Sequence, residues 1–297
     1  MLLFVGTITS LALLVRILAN PLANVFQKKL THQSADPLFV TAVTYTGLFI
    51  ACLFVYRWET ARHLRLDFWA NALLMGVLAV LGNTLLVKAL QTGDLSVLGP
   101  INAYKAVVSL VVGVVLLGEV PSVAGLLGVG LIVAGSYVVL QPKRGAGGGG
   151  WRLMGQPEIR WRVLALICSA VEAVYIKRAV LLADATTVFV VWCALGCVLS
   201  WGWYGSLHRS TLVGQWQLVA KHRLSYLALI ALVGLMQLST TVVFSGMQVG
   251  YALALFQTSA VVSVLFGYQF FGERQLLPKL LGATIMAIGA ALIVLVR

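Results

Sequence analysis

The sequence predicts an all-α integral membrane protein, and three observations carry that prediction. Of 297 residues, 60% are hydrophobic and only 10% are charged, with a mean hydropathy of +0.97. A soluble domain carries about 25% charged residues, so most of this surface faces something apolar. The apolar residues fall in runs of about 20, the length that crosses about 30 Å of hydrocarbon at 1.5 Å per helical residue. The second half of the chain also repeats a pattern found in the first. Ten transmembrane helices, arranged as two inverted five-helix repeats, are the expectation.

The apolar stretches lie near 2–28, 37–56, 68–90, 96–117, 122–140, 161–183, 186–207, 224–248, 251–271 and 276–296. Between them stand Asp36-Pro37, Gly93-Asp94, Gly118-Glu119 and Gly272-Glu273, the residues of helix ends and turns. In lipid only helices or closed barrels satisfy their backbone polar groups, and runs this long without alternation exclude a barrel. The N-terminus has no Lys or Arg before its apolar run, and Arg16 interrupts that run. It therefore reads as a first membrane helix and not as a signal peptide.

The net charge of +12 comes from basic residues placed mostly between apolar stretches, as membrane-flanking loops require, so no nucleic-acid partner is expected. Cys52, Cys168, Cys193 and Cys197 sit inside apolar segments without CxxC spacing, and His32, His63, His208 and His222 lie in loops or at helix ends. Neither set predicts a metal site or a cofactor. The glycines 145, 147 and 150 match GxGxxG, but no strand–helix context surrounds them. Residues 141–160 read instead as a flexible Gly-rich linker.

That linker separates residues 1–140 from residues 161–297. AVVSLVVGVVLLGE at 106–119 matches AVVSVLFGYQFFGE at 260–273 without gaps, an offset of 154. The register carries Gly128 onto Gly282, Gly135 onto Gly289 and Asn83 onto Gln237. NVFQKK at 24–29 corresponds to AVYIKR at 173–178. Five helices per half is an odd number, so the second half enters the membrane from the opposite face. Inverted repeats of this kind mark secondary transporters, with the solute site near the midplane between the halves.

The two Gly-Glu turns, each between an apolar helix and one with spaced glycines, give the chain a resemblance to the drug/metabolite transporter superfamily. The resemblance is to its EamA-type ten-helix carriers, and it covers essentially the whole chain. It implies secondary transport without ATP, export in direction, no enzymatic activity, and residence as a multi-pass protein of a bacterial inner (cytoplasmic) membrane. Family members carry solutes too varied for the resemblance to name one.

Ionised side chains inside a bilayer cost about 2.5–3.5 kcal/mol each on insertion scales, so they face partners or water-filled cavities. Arg16, Lys105 and Glu172 are such residues, and Lys88 stands closer to a helix end. Arg16, Asn20 and Asn24 recur every four residues on one face of the first helix, with Pro21 on the same stripe. Glu172 and Tyr175 share a face of the sixth, and Asn102 and Lys105 share a face beyond Gly99-Pro100. Gln257 occupies the equivalent stretch of the second half, and Asn83 and Gln237 form a symmetric pair.

The expected substrate site is therefore Arg16, Asn20, Asn83, Asn102, Lys105, Glu172, Tyr175, Gln237 and Gln257. A mutual Arg16–Glu172 ion pair between helices is the competing structural reading. Arg and Lys suit a carboxylate or phosphate. Glu172 suits an ammonium group, a basic partner or a coupling proton. A small anionic or zwitterionic metabolite, such as an amino acid or organic acid, fits best. A phosphorylated or lipid-linked sugar is the alternative, with an intramembrane enzyme or a channel behind it. Basic residues outside the helices number twelve on the side opposite the N-terminus, Lys28, Arg162 and Lys279 among them, and six on its own side. This favours external termini by the positive-inside rule, whereas the resemblance implies cytoplasmic ones.

Overall fold

The computed structural model describes residues 2–56, 64–105, 107–108, 122–139, 155–207, 212–246 and 249–295. All regular structure among them is helical: α1 (Leu2–His32), α2 (Pro37–Val55), α3 (Leu66–Thr92), α4 (Leu95–Ile101), α5 (Val123–Val139), α6 (Pro157–Leu182), α7 (Ala185–Leu207), α8 (Leu212–Lys221), α9 (Arg223–Gly246), α10 (Val249–Phe256), α11 (Ser259–Phe271) and α12 (Leu276–Leu295). Within these, five segments are long and apolar enough to cross a bilayer: Thr7–His32, Pro37–Phe54, Leu66–Thr92, Ala185–Ser206 and Arg223–Gly246. Most of the 106–119 repeat, including Gly118-Glu119, and the glycines 145, 147 and 150 lie outside the described residues.

Helix ends follow local chemistry. Asp36 caps α2 by accepting a 2.9 Å bond from the Phe39 amide, with Pro37 in the first turn where no N–H is needed. α11 ends at Gly272, whose φ of +61° only glycine adopts without strain. The Gly272 amide bonds the Tyr268 carbonyl and the Glu273 amide bonds the Gly267 carbonyl, satisfying the last turn. α6 starts at Pro157, inside the stretch read as linker. α8 does not correspond to any of the ten apolar stretches. None of its residues is buried, and Val213 and Trp216 are exposed, as in a short helix against the outside of the bundle.

The surface is inverted relative to a soluble protein. On α1, Leu11, Leu14 and Leu18 are exposed while Arg16 and Asn24 are buried. Polar groups thus turn inward and leucines outward, the arrangement lipid demands.

Helix partners fall into a regular scheme. α1 packs on α9, α3 on α6, α2 on α7, α4 on α11 and α5 on α12. α2 and α7 run antiparallel, with Phe39 against Trp201, Tyr45 against Gly196, and the Tyr56 hydroxyl 2.8 Å from that of Thr187. α5 and α12 are also antiparallel and nearly touch. A Cβ on Gly135 or on Gly289 would come within 2.7 Å of the Gly282 or Gly128 carbonyl oxygen, respectively. Glycine is required at this crossing because backbone meets backbone.

The stretches 96–117 and 251–271, each expected as one helix, are interrupted. After α4 the chain turns at Asn102 and Ala103, and after α10 at Gln257 and Thr258. Tight i→i+3 bonds cover both turns, Asn102 to Gly99 and Ala103 to Pro100 in one, Thr258 to Leu255 and Ala260 to Gln257 in the other. Pro100 supplies no amide hydrogen, which favours the break in the first.

One end of the bundle is held by a buried ionic cluster. Glu273 accepts 2.7 and 2.8 Å bonds from the Leu95 and Ser96 amides at the start of α4, and a further bond from the Ser96 hydroxyl. The Lys28 ammonium lies 2.8 Å from the same carboxylate. Lys279 donates to the Ser96 hydroxyl at 2.6 Å and lies 3.6 Å from Asp94. A carboxylate at a helix N-terminus meets free amides and the positive end of the dipole. Here that ties α1, α4, α11 and α12 together. Lys28 and Lys279 are therefore structural partners within the bundle and not the loop cations of the positive-inside count.

Candidate functional site

A cavity of about 120 Å³ lies between α1, α3, α4, α6, α7, α9 and α10, several times the space one water occupies. α1 contributes Arg16, Asn20, Ala23, Asn24 and Gln27, and α6 contributes Arg162, Ala165, Ser169, Glu172, Ala173 and Ile176. α3 adds Ala79, Gly82, Asn83 and Leu86, and α9 adds Val233, Met236, Gln237, Thr240 and Phe244. Asn102 and Lys105 enter from the break after α4, and Phe256 from the end of α10. Tyr45 and Trp192 complete an aromatic wall, their ring centroids 4.6 Å apart.

Those lining positions repeat. The four on α3 fall onto Val233, Met236, Gln237 and Thr240 of α9 at the offset of 154. At 149, the offset that aligns Lys28 with Lys177, the five on α1 fall onto Ala165, Ser169, Glu172, Ala173 and Ile176 of α6. Of these positions Arg162 and Phe244 match residues, Leu13 and Leu90, that do not line the cavity. The positions are symmetric, but the chemistry is not. Arg16 matches Ala165, and Glu172 matches Ala23.

Three cations and one anion line the space among the described residues. The Arg16 Nε donates to the Thr240 hydroxyl at 2.8 Å, and its guanidinium lies 4.7 Å from the Phe256 ring centre. Arg162 donates from Nε to the Leu98 carbonyl at 2.8 Å and from Nη2 to Asn102 Oδ1 at 3.0 Å. Each arginine is thereby fixed at one edge. Lys105 lines the same cavity as Arg16, Arg162 and Glu172. Glu172 accepts a 3.0 Å bond from the Trp192 indole N–H. Arg16 and Glu172 do not form the mutual ion pair of the competing reading. The ion pairs among the described residues are Lys28–Glu273, Arg65–Asp67 and Lys279–Asp94.

Several polar atoms here have no hydrogen-bond partner among the described residues: Arg16 Nη1, Gln27 Oε1, the Tyr45 hydroxyl and Gln237 Nε2. All four residues are more than nine-tenths buried and line the cavity. Buried polar groups are ordinarily paired, so this cluster is a place where a solute or water completes the bonding.

Seven of the nine expected residues meet at this cavity: Arg16, Asn20, Asn83, Asn102, Lys105, Glu172 and Gln237. Asn83 also bridges Gln27 and Thr41, at 3.1 Å to each. Tyr175 and Gln257 do not line it. Tyr175 packs on the hydrophobic core with Arg178 5.9 Å from its ring centre, because three residues past Glu172 the helix face has already turned away. Gln257 is fully buried at the second break and donates to the Leu253 carbonyl at 2.8 Å, tying up the turn locally. Lys88 is exposed, with its ammonium 4.2 Å from the Trp161 ring centre.

Arg162 was read as a loop cation and is a cavity residue. Its signal was present in the spacing of Arg162, Ala165, Ser169, Glu172 and Ile176, alternating threes and fours on one helical face. Gln27 continues the Arg16 stripe by the same rule. Tyr45, Trp192 and Thr240 carry no comparable signal, since they reach the site only through tertiary packing.

The model of the EamA-like transporter family matches residues 7–141, consistent with the drug/metabolite transporter superfamily. With the apolar helices, that match describes a multi-pass transmembrane transporter. Among solved proteins, one crystal structure covers 98% of this chain and 98% of its own with a TM-score of 0.64 at 16% identity. That level of identity shows a shared fold and no more. Comparison with curated proteins returns no match.

Proposed function

We propose that this protein is a secondary transporter that exports a small anionic or zwitterionic metabolite, such as an amino acid or organic acid, by alternating access. The observation that carries this reading is the central cavity: among the described residues an apolar bundle encloses three cations, one carboxylate and four polar atoms without a hydrogen-bond partner. A purely structural polar core would pair those groups.

Two inverted five-helix repeats, residues 1–140 and 161–297, are part of the same proposal. It is supported by matched lining positions, by antiparallel α2–α7 and α5–α12 pairs, and by reciprocal packing of α1 on α9 and α6 on α3. Both fourth helices break beside the cavity, where unwound backbone gives a moving element its pivot. Glu172 is the proposed proton-coupling residue, since it is the cavity's one described carboxylate and shares its field with Arg16 and Lys105. The bacterial inner membrane is the proposed location.

Counterflow in reconstituted vesicles provides the test. Saturable uptake of labelled solute, stimulated by unlabelled solute on the other side, is expected. Flux that neither saturates nor responds to trans solute would point to a channel, and chemical alteration of the solute would point to an enzyme.

A further inference from the structure

Resting on that transport reading and narrowing it, we infer that the cavity's ligand is a small dianion: a molecule presenting two negative charges, as a dicarboxylate or a phosphate monoester. Arg16, Lys105 and Arg162 face Glu172 alone among the described lining residues, leaving an excess of two positive charges. Moving a proton from Lys105 to Glu172 leaves that excess unchanged. Charges withdrawn from water need compensation, and a zwitterion brings none. A monoanion compensates half.

Geometry supports the same conclusion. Both guanidiniums are anchored through Nε, Arg16 to Thr240 and Arg162 to Leu98, so their outer edges are held in place before a ligand arrives. Arg16 Nη1 is a buried donor without a partner among the described residues. Arginine's fixed fork suits carboxylate and phosphate oxygens. A prepositioned donor also loses little freedom on binding.

The repeat supplies an independent line. Backbone contacts that the frame needs occur in both halves, as Gly128 and Gly282 do, although a structural ion partner need not, since Lys279 corresponds to Gly125. The four charged lining residues correspond instead to Ala165, Ser259, Leu13 and Ala23. Packing at these positions is met by small or neutral side chains in the other half. The charges are therefore additions to the scaffold, and the ligand is what they answer.

The test uses purified full-length protein at fixed ionic strength, because exposed charges respond to salt alone. Thermal stability would be followed against succinate, monomethyl succinate, L-alanine and glycerol phosphate. Binding to the folded state raises apparent stability in proportion to occupancy. Succinate or glycerol phosphate should stabilise at a concentration at least about tenfold below that needed for monomethyl succinate or L-alanine, a difference of about 1.4 kcal/mol. Which of the two acts identifies the carboxylate or phosphate source. Arg162→Gln should weaken the dianion selectively and narrow its advantage over the monoanion, whereas a structural role would weaken both alike. If that variant does not fold, the wild-type charge series decides by itself. Equal or stronger stabilisation by L-alanine or the monoester would overturn the dianion while leaving the transport site standing. Equal weakening by Arg162→Gln would overturn the role of charge. Binding of none of these solutes, together with absence of counterflow, would overturn the transport reading and the inference with it.

Discussion

The Glu273 cluster and the central cavity are built from the same materials and are finished differently. Both place buried cations beside one glutamate, and both draw on α1, one with the start of α4 and the other with the break after it. Around Glu273 each oxygen accepts from identified donors, and Lys279 is matched by Ser96 and Asp94. In the cavity the cations outnumber the anion and four polar atoms are left without a described partner. A buried charge alone therefore does not mark a binding site. Incomplete pairing around it does.

The two clusters should respond differently to substitution, and the largest effect on stability is expected at Glu273. Glu273→Ala strands Lys28 and uncaps α4, and it should cost about 3–5 kcal/mol in unfolding measurements in detergent. Burial pushes the Glu273 carboxyl up, but bonds from Lys28 and Ser96 outweigh it and hold the carboxyl below the usual carboxylate range. Its contribution is then present above that range and lost as pH falls through the depressed value. The gap between wild type and variant should close on acidification; a gap independent of pH would show that the charge contributes nothing.

Gly135→Leu comes next, at about 1–3 kcal/mol, because the side chain meets the α12 backbone at the α5–α12 crossing. Unchanged unfolding would mean that the crossing is looser than described. Lys88→Gln should cost about 0.5–1 kcal/mol through its contact with Trp161 and leave transport intact. Lost transport there would return Lys88 to the site. Glu172→Gln keeps the bond from Trp192, since the amide oxygen still accepts. It should nevertheless abolish the response of vesicle transport to an imposed pH gradient. An undiminished response would make Glu172 structural, like Glu273.

The sequence made the helical class, most helix positions and seven cavity residues legible, because period and length report burial in lipid directly. Arg162 was misread because it stands at the edge of an apolar run, where charge normally means a loop. The same rule misplaced Lys28 and Lys279, which leaves nine of the twelve cations in the orientation count. The breaks at Asn102 and Gln257 were hidden inside unbroken apolar stretches, since hydropathy does not register a change from α to tighter turns. Tyr175 shows the limit of shared-face reasoning. Three residues from Glu172, it is rotated far enough to leave the cavity.

The matched lining positions have a consequence for how the cavity's charge can vary. Were the bundle assembled from two identical five-helix chains, every substitution would occur twice, once on each side of the two-fold axis. Its cavity could then change only by pairs of charges, and a lone carboxylate would be unattainable. With the two proposed repeats joined in one polypeptide, Glu172 can stand opposite Ala23 and Arg16 opposite Ala165. Electrical content then becomes adjustable one unit at a time, while the Gly128–Gly289 and Gly135–Gly282 contacts hold α5 against α12.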